Sequence, residues 1–247
     1  MSANTFRSKA NERHPPVNAV VIATYNESLN APAIVREIRA VAPDVAVVIV
    51  DDNSPDGTAD AVRALGLPGV HVLVRREARG YGTAVRDGLI KAIQLGADRI
   101  ATMDADFSHE PKSLPAMLAA LDDADVAIGS RYVGGVRVIN WQIKRLLLSL
   151  FANFYVRTIL GLSTNDCTSG FRAYRAPMLR RMGLRTLQSN GYSFLVEMLW
   201  RAHRRRARLA EVPIVFVERR EGESKMSSAV IGESVLMPWR LRLGGGR

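Results

Sequence analysis

Between residues 19 and 129, five short apolar runs alternate with four helical stretches, and this alternation limits the fold more than any other feature of the chain. The runs fall at residues 19–23, 45–50, 70–74, 99–103 and 126–129. The second is six consecutive apolar residues, five of them strand formers, too short for a helix of its own. The stretches between them, 31–41, 58–65, 83–95 and 112–121, read as helices, with Asn30 placed to cap the first and Gly96 to close the third. Strand–helix alternation of this kind predicts an α/β fold: a mostly parallel sheet with helices on both faces. Ligands of such sheets bind beyond the carboxyl ends of the strands. After residue 130 the pattern loosens, with helical regions at 143–160 and 192–203 and a strand at 212–217.

The 247 residues suffice for one large domain or two small ones, and 47% apolar against 23% charged residues supports a real core. Cys167 has no partner for an intrachain disulfide, which fits a reducing compartment. Charge is divided unevenly. Residues 1–130 carry 13 Lys/Arg against 17 Asp/Glu, and residues 131–247 carry 21 against 7. The basic half predicts an anionic partner: nucleic acid, a phosphorylated substrate or an anionic membrane surface. No segment reaches the roughly 20 apolar residues of a membrane span. Residues 1–16 are polar, lack an apolar signal region and read as a disordered leader, so a cytosolic location or the cytosolic face of a membrane is expected.

Three strand ends carry acidic or turn-forming residues and should converge on one crevice: Thr24 to Glu27, Asp51 to Gly57, and Asp104 to Asp106. Two ionised carboxylates one residue apart repel and are costly to desolvate. A divalent cation removes both problems, and Mg²⁺ or Mn²⁺ typically takes one or two carboxylates together with substrate phosphates. In "VIVDDNSPDGT" one Asp can turn the chain while the other accepts hydrogen bonds from a nucleobase or ribose; a plain surface turn is the alternative. "GYGTAVRDG" lacks the third glycine of a dinucleotide fingerprint, no phosphate-binding lysine loop is present, and the four histidines have no zinc spacing.

"VVIATYNE", "VVIVDDNSPDGT", "MDADFSHEP", "AIGSRYVGG", "NWQIKR", "DCTSGFRAY" and "EGESKMS" occur in that order from residue 20 to residue 227. Together they resemble the inverting family 2 glycosyltransferases, specifically the polyprenyl- or dolichyl-phosphate mannosyltransferase branch. The resemblance implies a GT-A domain over residues 17–230, with 231–247 as a basic C-terminal tail. It implies transfer of mannose from GDP-mannose to a polyprenyl monophosphate, with Mg²⁺ or Mn²⁺ as cofactor. By matching positions, Tyr25, Glu27 and Asp52 line the nucleotide pocket, and Asp104 and Asp106 hold the metal. Ser108 stands where some members have Gln in the metal shell. Arg131 and Arg145 are expected to meet phosphates, and Arg219 and Lys225 to belong to a basic segment closing over the donor. Ala23 replaces a Pro common in the family, and Leu150 stands where relatives often carry Lys or Arg. Asp166 either orients the acceptor or caps a turn.

The chemistry agrees with the charge. A nucleoside diphosphate leaving group needs a metal and cations, and a phosphate monoester acceptor is already anionic near neutral pH, so no strong general base is required. A polyprenyl tail has to be reached from a bilayer. Leu146, Leu147, Leu148, Leu150, Phe151, Phe154 and Tyr155, flanked by Lys144, Arg145 and Arg157, suit either an interfacial helix or a core helix. A peripheral membrane contact is therefore expected, with room for a membrane-anchoring partner protein. The alternatives are a family 2 transferase using UDP-glucose or another sugar nucleotide, and a basic nucleic-acid-binding protein. Against nucleic acid stand the 6% aromatic content and the lack of a recognisable motif.

Overall fold

The structure, a computed structural model, describes residues 17–77, 79–187, 189, 191–217 and 228–244. In chain order the first half runs β1 (Asn18–Thr24), α1 (Asn30–Val41), β2 (Ala46–Asp51), α2 (Thr58–Arg63), β3 (Val70–Val74), α3 (Tyr81–Gln94), β4 (Arg99–Thr102), α4 (Leu114–Ala119) and β5 (Val126–Ser130). Then come β6 (Val138–Ile139), α5 (Ile143–Leu160), β7 (Arg172–Arg175), α6 (Ala176–Met182), α7 (Gly191–Arg204), β8 (Leu209–Pro213), β9 (Phe216–Val217) and α8 (Ser228–Leu243). Among the described residues, seven strands form one sheet in the order β3-β2-β1-β4-β7-β5-β8, parallel except for β7. β6 and β9 form a separate parallel pair.

Both faces of the sheet are covered, which is why its strands read as continuous apolar runs. In β1, Ala19 and Val21 enter the core on one face, with residues of α3, α5, α6 and α7. Val20 and Ile22 enter the core on the other, with α1 and α4. β2 divides the same way, Val48 and Val50 against Val47 and Ile49. The expected α/β fold with helices on both faces is present.

Several local expectations change. Asn30 is not the cap of α1 but lies within its first turn, and its amide donates to Glu27 Oε2 at 2.9 Å. The stretch 112–121 is not one helix: Pro111–Ser113 winds as a 3-10 turn, α4 follows, and Ala120–Asp122 is again 3-10. Pro115 explains the break, because proline has no N–H to give and is tolerated only in the first turn of an α-helix. The strand at 212–217 divides at Pro213, which ends edge strand β8; Phe216 then pairs with β6. β7 was not expected. It enters between β4 and β5, and the buried guanidinium of Arg172 donates to the carbonyls of Cys167, Ser169 and Leu195.

α5 is two things at once. Its second half buries Asn153, Val156, Ile159 and Leu160 in the core, while Ile143, Leu147, Leu148, Phe151 and Phe154 are exposed. α8 lies beside it. Tyr155 Oη donates to Val235 O at 2.8 Å, Trp239 Nε1 donates to Tyr155 Oη at 3.0 Å, and Arg242 donates to Ile159 O. A domain boundary after residue 230 would fall inside this helix. Among the described residues no helix is long and apolar enough to cross a membrane.

Candidate active site

The ends of β1 and β2 are tied together. Thr24 Oγ1 donates to Asp51 Oδ1 at 3.0 Å, and Asp51 also accepts Ser54 Oγ at 2.6 Å and Ser54 N at 2.8 Å. Asp51 is therefore the aspartate that turns the chain. Asp52 looks the other way: its Oδ1 accepts Arg75 Nε at 2.7 Å and its Oδ2 accepts the N–H of Gly80 at 2.8 Å. Gly80 sits at φ 135°, a backbone conformation that side chains rarely adopt, and its carbonyl accepts Arg75 Nη2 at 3.1 Å. This turn opens α3 and presents Arg79 to Tyr25, with the guanidinium 5.1 Å from the ring centroid and 3.3 Å from the hydroxyl. Glu27 N donates to Thr58 Oγ1 at 2.9 Å.

The next residue, Tyr81, carries the arrangement across to β4. A Cβ added at Gly170 would lie 2.9 Å from Tyr81 Oη, 3.6 Å from Asp104 Oδ1 and 3.7 Å from Asp104 Oδ2. The "TSGF" loop thus presses its one side-chain-free residue against the first aspartate of the pair. Asp106 Oδ1 accepts Ser108 N at 3.0 Å and Ser108 Oγ at 2.6 Å, with Phe107 between them at φ 60°. Ser108 acts on the pair through Asp106. His109 supports Asp104, whose N–H donates to His109 Nδ1 at 3.2 Å. Burial pushes the imidazole below its ordinary value against the raising pull of Asp104 and Asp106, so the ring is neutral near pH 7 and Nδ1 is an acceptor.

The donor set suits a hard cation. Both side chains offer carboxylate oxygens, and the close approach of Gly170 to Tyr81 Oη and Asp104 leaves no room there for a Cβ. Among the described residues no group of three or more His, Cys, Asp or Glu side chains is placed to hold a metal.

The cationic side is built differently from expectation. Arg131 is buried, with Nε 2.7 Å from Asp166 Oδ2, Nη2 2.7 Å from Asp166 Oδ1 and Nη2 2.7 Å from Thr168 Oγ1. Burial would raise the Asp166 carboxyl, but the hydrogen bonds and charge of Arg131 outweigh it and hold the group below the usual carboxylate range. Asp166 is thus the buried partner that holds the Arg131 guanidinium in place. Arg145 lies over Trp141, 4.4 Å from its centroid, in the first turn of α5. Tyr132 Oη and Ser149 Oγ are 2.6 Å apart, and Leu150, the residue at the often-basic position, is half-buried beside them. Arg219 and Lys225 lie outside the described residues.

Sequence reasoning missed Tyr81, Gly170, Arg75 and His109. The signal for Tyr81 is "GYG" at the start of a helix, which a dinucleotide fingerprint does not register. His109 was visible five residues after Asp104, but a search for zinc spacing passes over a lone imidazole.

The family model described as glycosyl transferase family 2 matches residues 19–183. The chain is 44% identical over 218 residues to the undecaprenyl-phosphate mannosyltransferase of Micrococcus luteus, covering 87% of this chain and 90% of that protein. It is 42% identical over 229 residues to the polyprenol monophosphomannose synthase of Mycolicibacterium smegmatis, covering 90% and 86%. Among solved structures it resembles glucosyl-3-phosphoglycerate synthase from Mycobacterium tuberculosis. The complex with Mn²⁺, uridine diphosphate and glucosyl-3-phosphoglycerate gives a TM-score of 0.66 at 17% identity, covering 93% of this chain and 80% of that one. The complex with Mn²⁺, uridine diphosphate and phosphoglyceric acid gives 0.67 at 17% identity, covering 93% and 79%. At that identity the likeness concerns the fold.

Proposed function

We propose, from the premise that this chain belongs to glycosyltransferase family 2 and is a glycosyltransferase, that it transfers mannose from GDP-mannose to a polyprenyl monophosphate with inversion. The products are mannosyl-phospho-polyprenol and GDP. The observation that supports the reading is a chain of contacts between strand ends: Asp52 accepts the N–H of Gly80, Arg79 meets Tyr25, and Gly170 lies close to both Tyr81 Oη and Asp104.

In this reading Tyr25, Glu27 and Asp52 hold the nucleoside, and Asp104 and Asp106, oriented by His109 and Ser108, bind Mg²⁺ or Mn²⁺. When bound, the metal neutralises charge developing on the diphosphate leaving group. Arg145 draws the acceptor phosphate in, and Arg131 fixes the wall against which it docks through Asp166. The acceptor oxygen is already anionic, so the protein's task is to bring two anions together in line, with no covalent sugar–enzyme intermediate.

The exposed apolar side of α5, continued by Val235, Leu236 and Trp239 of α8, supports a peripheral contact with the membrane that holds the lipid acceptor. A membrane-anchoring partner protein is compatible with the same surface.

The test is to incubate the purified chain with GDP-mannose, Mn²⁺ and a short polyprenyl phosphate, and to weigh the products. Mannosyl-phospho-prenol dependent on metal and lipid is expected. Asp106→Ala should lower turnover by at least about 100-fold while the far-ultraviolet circular dichroism is unchanged. Normal turnover in folded Asp106→Ala ends the metal assignment, and preferential use of UDP-glucose in competition redirects the donor.

A further inference from the structure

Phe216 stands where three segments of the candidate site meet. It is the first residue of the two-residue strand β9. On one side its ring meets His109 edge-on, 5.4 Å between centroids at 77°. On the other it meets Trp141 edge-on, 5.4 Å at 78°. Arg131 approaches it as well, with Cζ 5.6 Å from the ring centroid. Each neighbour leads to a different part of the proposed reaction. His109 accepts the N–H of Asp104, so it fixes the turn bearing the carboxylate pair. Trp141 lies beneath Arg145, so it fixes the guanidinium assigned to the acceptor phosphate.

The backbone reinforces the rings. Phe216 N donates to Arg137 O at 3.0 Å, and Val217 N donates to Ser108 O at 3.3 Å. One short strand therefore bonds both to the segment before Trp141 and to the metal-side turn itself. Edge-to-face aromatic contacts are directional, and cation–π contacts gain as water is excluded, so the column from Arg145 through Trp141 and Phe216 to His109 resists sliding as well as separation. A transfer between two phosphates is sensitive to such registration, because misplacement by about 1 Å costs about 100-fold in rate.

We infer that Phe216 is a positioning residue that sets the acceptor-binding arginine Arg145 in register with the metal-binding turn at Asp104 and Asp106. The inference rests on the proposed metal-dependent transfer to a lipid phosphate, and it adds a specific coupling between the two sides.

Phe216→Leu keeps an apolar side chain but removes the ring edges. It should raise both the apparent Mn²⁺ constant and the KM for polyprenyl phosphate, each by about two- to tenfold, the change expected for loss of one aromatic pair. Phe216→Tyr, which restores the ring, should return both constants to within about twofold of wild type. Trp141→Leu should raise chiefly the acceptor KM and His109→Gln chiefly the Mn²⁺ constant, each with a smaller rise in the other because either change breaks the column. Adding Phe216→Leu to Trp141→Leu should leave the acceptor KM nearly where Trp141→Leu put it, because the column is already broken. Mn²⁺ binding in the presence of GDP, followed by electron paramagnetic resonance, reads the metal side without turnover. Weakened Mn²⁺ binding in Phe216→Leu together with a raised KM for the phosphate acceptor supports the inference, whichever phosphate the acceptor proves to be. Wild type that binds neither Mn²⁺ with GDP nor a lipid phosphate overturns the proposed function, and the inference with it. A lowered melting temperature with both constants unchanged, or a rise in only one constant, overturns the positioning role alone. Should Phe216→Leu fail to fold, Trp141→Leu and His109→Gln combined serve instead. Additive effects of that pair on both constants would sink the coupling, and non-additive effects would uphold it.

Discussion

Asp166 has no exposed surface, yet it stays ionised because Arg131 reaches it with Nε and Nη2 and its own backbone N–H. Replacing the carboxylate by an amide leaves a buried guanidinium without its counter-charge, and breaking such a pair typically costs about 3–5 kcal/mol. Asp166→Asn should lose about that much in urea unfolding at pH 7. The pH dependence has a definite sign. The folded-state pKa of Asp166 lies below the unfolded value, so its stabilisation is complete above about pH 4 and is lost as pH falls through the folded value. The gap between wild type and Asp166→Asn should therefore narrow in acid, and a gap that stays constant down to pH 2 would show that the charge is not what matters. The carboxylates were legible one by one, but their partners were not. "DD" after a buried strand marks a turn and a site, yet only the fold reveals that Asp51 takes the turn and Asp52 takes Arg75 and Gly80. Arg131 illustrates the same limit: "GSRY" marks an arginine for a phosphate, but not that Asp166, 35 residues later, folds onto it.

At the scale of elements, the strands that were legible are those whose residues do one job. β1 and β2 are runs of Val, Ile and Ala buried on both faces, so periodicity and composition agree. β7 was illegible because "RAYR" has arginine at both ends and no β-branched residue; its place is decided by the partners it finds between β4 and β5. Helix α3 shows packing at its closest. A Cβ at Gly88 would lie 2.3 Å from Val21 Cγ1 and 2.8 Å from Val50 Cγ2, so the helix rests directly on β1 and β2. Gly88→Ala gains about 1 kcal/mol of helix propensity, but overpacking typically costs about 1–3 kcal/mol. A melting temperature lower by a few degrees is expected, and an increase would show that the helix can lift off without penalty. Helix α5 was legible in extent and ambiguous in purpose, because a core helix and an interfacial one share a composition. Its exposed half decides which residues to change: with Phe151 63% and Phe154 59% exposed, Phe151→Glu with Phe154→Glu should leave stability near wild type. The same double variant should release the chain from anionic vesicles in a sedimentation assay, and full retention would move the membrane contact elsewhere.

For the whole molecule, the charge boundary near residue 130 invites division into an acidic and a basic unit, and the sheet forbids it. β7, from the basic half, lies between β4 and β5 of the acidic half, and β8 closes the edge beyond β5. The two halves share backbone hydrogen bonds across the middle of the molecule, so neither half completes its sheet alone. This joins the carboxylates at the ends of β1, β2 and β4 to Arg131, which follows β5 and is held by Asp166 of the loop before β7, and to Arg145 of α5, a placement that a two-domain hinge would leave to chance. The interleaving predicts cooperative unfolding. Trp141, Trp200 and Trp239 all belong to the basic half, whereas far-ultraviolet circular dichroism reports on helices and strands throughout the chain. Urea transitions followed by the two probes should therefore coincide in midpoint and slope. Two separate domains would instead give a fluorescence transition that precedes or follows the circular dichroism, with an intermediate retaining half its secondary structure. Substituting Ala173 by Asp would place an unpaired charge in the buried centre of β7, facing Ala101 and Ala127. Both probes should shift together in that variant; if only the tryptophan signal moved, β7 would not be what holds the halves in one unit.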